Sequence, residues 1–452
     1  MSVHIVILAA GQGTRMKSKL PKVLHPLAGT PLVQHVVDTA QQLGGDITLV
    51  VGHGAEAVKA QFAEQPVRFV TQAEQLGTGH AVAQALPCIK DDQRVLILYA
   101  DVPLIEANAL LPLLSGERAE GLTLFTASLN DPTGYGRVVR EHNAITAIVE
   151  QKDATPEQLR IKEINTGIMS VPGQWLQQAL PRLDNSNAQQ EYYLTDLVAM
   201  AVADGLVVNG VEADDLIATQ GVNNRVQLAA LEREYQRRRV ESLMLQGVTV
   251  IDPARLDLRG TVTTGTDNVI DVNVILDNVS LGSNVTIGAN CIIRHSHIAD
   301  GAVILDNTLI EESHVGPNAN VGPFARLRPG TALAAKAKVG NFVEIKKSQI
   351  GEGAKVNHLT YVGDATVGAG ANIGAGTITC NYDGVNKYRT RIGDGAFIGS
   401  NSTLIAPVSI GDGGYVGAGS VISKDAPAQQ LTLARAKQLT LAKWQRPTKK
   451  DA

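Results

Sequence analysis

Residues 315–345 read VGPNANVGPFARLRPGTALAAKAKVGNFVEI, with an aliphatic side chain at every sixth position: Val315, Val321, Leu327, Leu333, Val339 and Ile345. The phase extends back through Ile310, Ile304, Ile298, Ile293 and Ile287 to Leu281, and forward through Ile350, Val356, Val362 and Val367 to Ile373. A second unbroken run comprises Ile392, Ile398, Leu404, Ile410, Val416 and Ile422. With hydrophobic residues at 44% of the chain, six successive hits arise by chance about once in 140 trials per phase. A period of six matches neither the α-helix, at about 3.6, nor the half-buried strand, at about 2. It fits a parallel β-helix of hexapeptides.

Three hexapeptides would close a triangular coil of about eighteen residues, and eight coils at a strand spacing of ~4.8 Å would make a prism of roughly 40 Å. The aliphatic residue fills the axis. The Gly that often follows it, as in Val315-Gly316, Val321-Gly322 and Ile410-Gly411, is expected to take a turn conformation closed to bulkier residues. Between blocks up to Val367 the step shortens to five, and from Ile373 to Ile392 it is nineteen. The segment Thr379 to Arg391 is therefore expected to include a loop leaving the prism. The pattern resembles the left-handed β-helix of hexapeptide-repeat acyltransferases. The left hand is implied by that resemblance, since parallel crossovers are normally right-handed. Many such scaffolds bind acyl-CoA between three packed prisms, and some serve only for assembly.

The chain has 452 residues, enough for two or three domains, and a formal charge of -4 that argues against a general nucleic-acid binder. The basic tail at Lys443, Arg446, Lys449 and Lys450 reads as a solvated end. Cys88, Cys291 and Cys380 form no CxxC pair and no even disulfide framework, so a cytoplasmic setting is expected. The apolar start, Val3 to Ala10, is too short to span a bilayer and has no basic leader, so no membrane insertion is expected.

Apolar runs at Val3–Ala9, Ile47–Val51, Val67–Val70 and Val95–Tyr99 alternate with helical stretches at Leu32–Leu43, Ala55–Ala63 and Thr78–Leu86. That order is α/β with a mainly parallel sheet. After the first strand comes Ala9-Ala10-Gly11-Gln12-Gly13-Thr14-Arg15-Met16, then Leu20-Pro21-Lys22. Position 16 is not Gly and no GKS or GKT follows, which excludes the dinucleotide fingerprint and the P-loop. The stretch is either a tight strand-to-helix turn or a loop whose backbone N–H groups approach phosphates, with Arg15 and Lys22 neutralising charge. Asp101, in Tyr99-Ala100-Asp101-Val102-Pro103, stands at a strand's C-terminal end, where it either caps a helix or binds a metal or ribose.

Together these stretches resemble the nucleotide-sugar pyrophosphorylases, in which Leu-Ala-Ala-Gly-x-Gly-Thr-Arg-Met is followed by Pro-Lys. The resemblance implies a Rossmann-like α/β nucleotidyltransferase domain over residues 1–225. It further implies that Leu8, Ala9, Ala10, Gly11, Gln72, Gly77, Thr78 and Tyr99 contact the nucleotide. Gly136, Glu150 and Asn165 would contact the sugar, and Asp101 and Asn223 would hold one Mg²⁺. The implied reaction is attack of a sugar 1-phosphate oxygen on the α-phosphorus of UTP, with Arg15 and Lys22 offsetting the charge that develops.

Val226 to Gln246 contains no Pro or Gly and reads as a single helix stopped by Gly247, a linker at residues 226–247. At 1.5 Å per residue it would reach about 30 Å and act as a strut between domains. Arg237-Arg238-Arg239, beside Glu232, Glu234 and Glu241, reads as a solvated helix face rather than a nucleic-acid patch.

Within residues 248–452 the reactive side chains cluster in Arg326-Leu327-Arg328-Pro329-Gly330, Asn341-Phe342-Val343-Glu344-Ile345-Lys346-Lys347, His358-Leu359-Thr360-Tyr361 and Asn381-Tyr382-Asp383-Gly384. These fall one to two coils apart. Arg328 and Lys346 differ by eighteen, so they are expected to stack and clamp a phosphate. His358 taken alone would be structural. In this order, after a pyrophosphorylase domain, the clusters resemble those of the bifunctional N-acetylglucosamine-1-phosphate uridyltransferase/glucosamine-1-phosphate acetyltransferase family over the whole length. That resemblance implies His358 as the general base for the sugar's 2-amino group, a task suited to an imidazole with an ordinary pKa of about 6.5. It implies Arg328, Lys346, Tyr361, Asn372 and Lys387 as ligands of glucosamine 1-phosphate. Ala375, Asn381, Tyr382, Ser400, Ala418 and Arg435 would contact acetyl-CoA. A homotrimer is expected, as is a product that feeds peptidoglycan and lipopolysaccharide synthesis. The competing reading is a single-activity nucleotidyltransferase whose β-helix only assembles subunits, which would leave His358 and its cationic neighbours without a purpose.

Overall fold

The computed structural model describes residues 2–115 and 120–449, so Lys450 of the basic tail lies outside the described residues. Lys443, Arg446 and Lys449 are exposed. The chain divides into two compact units, Met1–Tyr235 and Gln236–Ala452. The boundary falls inside the helix Arg225–Leu245, so the stretch expected to be a separate linker is shared between the units.

The first unit is built on a nine-stranded sheet. Ser2–Ala9 lies at its centre, parallel to Asp46–Val51 on one side and Gln93–Tyr99 on the other. Burial on both faces explains why these strands read as continuous apolar runs. Arg68–Thr71 extends the parallel half. Glu163–Pro172 enters antiparallel between Gln93–Tyr99 and Leu122–Ser128, and Val208–Glu212 forms the far edge. The helices Leu32–Leu43, Ala55–Gln61 and Thr78–Ala83 follow the expected starts, and Gly44 (φ 66) ends the first of them by donating to the Gln41 carbonyl.

In the second unit every aliphatic residue of the six-residue phase is buried in one continuous core. One face of the parallel β-helix is an eleven-stranded ladder. Leu256–Thr264, Val274–Leu281 and Ile292–Ile298 turn a corner and join the other two faces into a sixteen-stranded sheet.

Three details go beyond the periodicity. First, the five-residue steps close many coils in 17 residues, one short of three hexapeptides, as in Ile270↔Ile287, Ile287↔Ile304 and Val339↔Val356. Each five-residue step turns on a residue with positive φ: Asn278, His295, Glu312, Lys347 or Asp364. Second, the ladder starts at Thr249–Val250, at the beginning of the residues 248–452 expected to form the β-helix and two coils before the phase becomes regular at Leu281. There the side-chain amide of Gln236 donates to the Leu258 carbonyl (2.9 Å) and accepts from the Leu258 N–H (2.7 Å), and Val240 and Leu243 join the core. Arg239 donates to the Leu258 and Gly260 carbonyls, so the arginine run is not wholly a solvated face. Third, the Gly after an axis residue is mostly required by close approach. A methyl group on Gly316 would lie 2.6 Å from the Leu333 carbonyl oxygen, and only Gly322 of the three examples has a positive φ. The left-handed corner residue comes three positions after the axis residue and is usually Asn or Gly, such as Asn290, Asn307, Gly353 or Gly370.

The expected excursion occurs at Asn381–Arg389. It lengthens the coil between Ile373 and Ile398 to 25 residues, and the chain folds back through a Tyr382↔Lys387 bridge.

Candidate functional site

Leu8 pairs in register with Tyr99, so the segments that follow their strands leave the sheet side by side. The Gly-rich loop extends from one, and Asp101 from the other. Between them opens a cavity of about 230 Å³ lined by Leu8, Ala9, Ala10, Gly11, Lys22, Gln72, Gly77, Thr78, Tyr99 and Asp101. Val23, Gln75, Ala81 and Glu191 complete the lining. Gln75 could have been found in the sequence, because it lies inside the Gln72–Ala81 motif and its amide reaches the Ala10 carbonyl (3.3 Å). Glu191 could not, because it arrives through backbone pairing of Tyr192 with Leu76 and Gly79 (both 2.8 Å), more than a hundred residues away.

Gly13 has φ +61, and a methyl group there would lie 2.5 Å from the Lys22 Cβ. The loop therefore closes down on Lys22. The Lys22 ammonium pairs with the Asp101 carboxylate, and the Arg15 guanidinium donates to the Asn223 amide oxygen (2.8 Å). The Val222 N–H donates to the Asp101 carbonyl (2.8 Å), which ties the Asn223 segment to the end of the Asp101 strand. One carboxylate and one amide oxygen are hard donors of the kind Mg²⁺ accepts, with its remaining positions left to water and phosphate. The residues present fit such an ion. Among the described residues no three His, Cys, Asp or Glu side chains form a metal cage.

Arg15, Gly136, Glu150, Asn165 and Asn223 do not line the cavity. Gly136, Asn165 and Glu150 form a second group. The Asn165 N–H donates to the Gly136 carbonyl (2.9 Å), the Asn165 amide oxygen accepts from the Gly167 N–H (3.0 Å), and a methyl group on Gly136 would stand 3.3 Å from the Glu150 carboxylate. Gly167 (φ +89) has no room for a side chain against the Tyr99 ring, which lies 2.6 Å from where a methyl group would sit. Burial raises the Glu150 pKa, opposed by the Thr195 hydroxyl that donates to it (3.2 Å). Burial also raises the Tyr99 pKa, helped by Asp101 and Glu150.

In the β-helix the expected residues other than Asn372 fall on two edges. Leu327 and Ile345 are ladder partners, which stacks Arg328 on Lys346. Arg328 also donates to the Glu344 carboxylate (2.8 Å). Lys387 reaches this edge from the excursion loop. Lys387 first, and then Arg328, lowers the Lys346 pKa. The Tyr361 ring extends along its strand so that a methyl group on Gly363 would meet its hydroxyl at 2.3 Å. Burial raises the Tyr361 pKa, while a hydrogen bond with Asn381 opposes the shift. Asn381 donates to the Asp364 carboxylate (2.5 Å), which anchors the base of the loop, and Tyr382 is exposed.

The second edge carries His358. Asn341 pairs with His358 across one ladder step, and the His358 carbonyl accepts from the Gly376 N–H. Below it the Ala375 carbonyl accepts from Asn401, the Ser400 carbonyl accepts from Gly419, and the Ala418 carbonyl accepts from the Arg435 guanidinium (2.8 Å). His358, Ala375, Ser400, Ala418 and Arg435 thus form one column along the prism. Asn372 stands apart, on the face of the eleven-stranded ladder between Lys355 and Phe397. A concavity of about 730 Å³ on the prism runs past Ser280, His297 and His314, and none of the expected site residues lines it.

Residues 5–152 match the MobA-like NTP transferase domain, residues 258–339 the GMPPB C-terminal domain, and residues 389–424 the bacterial transferase hexapeptide family of six repeats. The chain is 56% identical over 452 residues to the bifunctional protein GlmU of Cellvibrio japonicus, covering 99% of this chain and 100% of that one. It is 56% identical over 450 residues to the bifunctional protein GlmU of Marinobacter nauticus, covering 99% of each. A crystal structure of a UDP-glucose pyrophosphorylase complexed with UDP-glucose aligns with 53% of this chain and 100% of its own, at 17% identity and a TM-score of 0.42. Full-length identity at this level, with both the nucleotidyltransferase sheet and the hexapeptide helix in one chain, means that the protein belongs to the GlmU family.

Proposed function

We infer that the chain makes UDP-N-acetylglucosamine in two steps, acetyl transfer from acetyl-CoA to glucosamine 1-phosphate and then uridylyl transfer from UTP. The observation that carries this reading is the full-length kinship to bifunctional relatives together with two separate polar clusters, one in each unit.

In acetyl transfer, the 2-amino nitrogen attacks the thioester carbonyl carbon. The N–C bond forms, the C–S bond breaks, and the amine proton passes to His358 and on to the departing thiolate. Arg328, Lys346 and Lys387 hold the phosphate, which also offsets the mutual repulsion that lowers the Lys346 pKa. Tyr361 and Asn372 orient the sugar. The cofactor contacts follow the His358 column, with Asn381 and Tyr382 added from the other edge, and bring the thioester to the base. Because Asn372 and the cation cluster occupy different faces, a neighbouring chain in a homotrimer completes the site.

In uridylyl transfer, the 1-phosphate oxygen attacks the α-phosphorus of UTP and pyrophosphate leaves. Asp101 and Asn223 would hold Mg²⁺, which supplies charge neutralisation across the phosphates when bound. Lys22 exchanges its Asp101 partner for phosphate oxygens, and Arg15 does the same from Asn223. Gln72, Gly77 and Thr78 border the base, and Glu150 accepts from a sugar hydroxyl. No side-chain nucleophile is needed, so positioning and electrostatics carry the step. The setting is cytoplasmic, where UTP and acetyl-CoA are available. No helix among the described residues is long and apolar enough to cross a membrane.

The test is incubation of the pure protein with glucosamine 1-phosphate, acetyl-CoA, UTP and Mg²⁺, repeated with each component omitted. UDP-N-acetylglucosamine is expected only from the complete mixture, with thiol release continuing when UTP alone is left out. No thiol release under any condition would return the β-helix to a scaffold.

A further inference from the structure

We propose that Asn341 is a positioning residue for acetyl transfer, its side-chain oxygen holding the His358 Nδ1 proton so that Nε2 presents a lone pair to the amine. The proposal rests on the reading of His358 as the base.

The Asn341 Oδ1 lies 2.8 Å from His358 Nδ1. An amide oxygen only accepts, so the ring nitrogen facing it carries the proton and the neutral imidazole keeps its free pair on Nε2. The pairing is built into the ladder. Asn341 and His358 are register partners on successive coils, in the strands Lys338–Asn341 and Lys355–His358. Gly340 brings those coils together, since a methyl group there would lie 2.0 Å from the Asn357 carbonyl oxygen. The Thr360 hydroxyl donates to the His358 carbonyl (2.6 Å) and fixes the backbone that carries the ring. His358 is itself exposed, so its free nitrogen is open to substrate while the other is fixed.

The chemistry favours a neutral partner. When Nε2 takes the amine proton, the imidazolium keeps its Nδ1–H on the Asn341 oxygen, and the amide dipole stabilises that charge. A carboxylate would do so more strongly. It would also raise the imidazole pKa and leave less free base at neutral pH. Asn at position 341 sets the ring's orientation without placing a negative charge beside it.

The experiment compares Asn341→Ala, Asn341→Asp and His358→Ala in the full chain, with uridylyl transfer of the same samples as the folding control. Asn341→Ala is expected to lower acetyl-transfer kcat about 10- to 100-fold, less than the ~10²–10⁴-fold expected for removing the base. Asn341→Asp keeps the acceptor and is expected to move the acid limb of the kcat/KM profile about one unit to higher pH. Wild-type kcat in Asn341→Ala would overturn the proposal. So would a loss in Asn341→Ala accompanied by an unshifted profile in Asn341→Asp, which would mark a packing effect. Undiminished acetyl transfer in His358→Ala would instead remove the underlying assignment of the base.

Discussion

At residue scale, two substitutions separate the activities. Asp101→Ala is expected to abolish uridylyl transfer while thiol release from acetyl-CoA persists, because Asp101 meets Lys22 and the Asn223 segment within the first unit. His358→Ala is expected to lower acetyl transfer by ~10²–10⁴-fold and to leave uridylyl transfer from supplied N-acetylglucosamine 1-phosphate unchanged. The side chain points outward between the axis residues Val356 and Val362, so circular dichroism should not change. Glu150 makes a third, thermodynamic case. Burial raises its folded pKa above the unfolded value, so the folded state binds the proton more tightly. Its contribution to stability is full below the unfolded pKa and is lost as pH rises through the folded pKa. Glu150→Gln removes that loss. The first unit should then melt on the order of 2–4 °C higher at about pH 7 and unchanged at about pH 3, as read by differential scanning calorimetry.

At the scale of the element, the prism distinguishes two kinds of glycine. Gly351 follows an axis residue, and a methyl group there would lie 2.6 Å from the Ala369 nitrogen. Gly351→Ala is expected to destabilise the second unit by about 1–3 kcal/mol in urea unfolding. Gly353 has φ +65 with open space around it. Asn occupies the same corner at Asn290, Asn307 and Asn318, so Gly353→Asn should stay within about 0.5 kcal/mol of the parent. Equal effects of the two changes would refute this division. The distinction also marks how far the sequence could be read. The six-residue phase located the aliphatic axis residues from Leu281 to Ile422, because each fills a narrow core, but passed over Thr379, which is buried at the same position between Val362 and Leu404. The five-residue steps were legible in the same phase, but not that His295, Glu312 and Lys347 turn them with positive φ, because those residue types carry no sequence mark for it. The β-helix was assigned from residue 248, but its phase becomes regular only at Leu281, because the helix Arg225–Leu245 supplies part of the core of the first coils. In the first unit, the Gly-rich loop, Lys22 and Asp101 were legible because they follow adjacent strands. Glu191 was not, because a distant backbone segment delivers it.

At the scale of the whole molecule, the expected assembly is a homotrimer, which a mass measurement of the active full chain would check. Phe324, Phe342 and Leu359 are exposed, adopt the left-handed conformation in consecutive coils, and adjoin Asn341 and His358. The two phenyl rings stack at 5.4 Å. Bulky side chains at corners where Asn or Gly otherwise stand suit a surface covered by another chain. Phe342→Asn, which suits the same backbone, should therefore increase the monomer fraction and depress acetyl transfer. Acetyl transfer by stable monomers would rule the assembly out. The excursion at Asn381–Arg389 has a wider bearing. Thr390–Ile392 resumes pairing with Ala365–Val367, and the coils beyond it stack in the ordinary register. The prism thus behaves like a spool with side pegs: a peg can be lengthened or exchanged at a corner without rewinding the thread. A parent scaffold could acquire the arm bearing Asn381, Tyr382 and Lys387 in one insertion, so substrate choice can evolve separately from the stability of the coil.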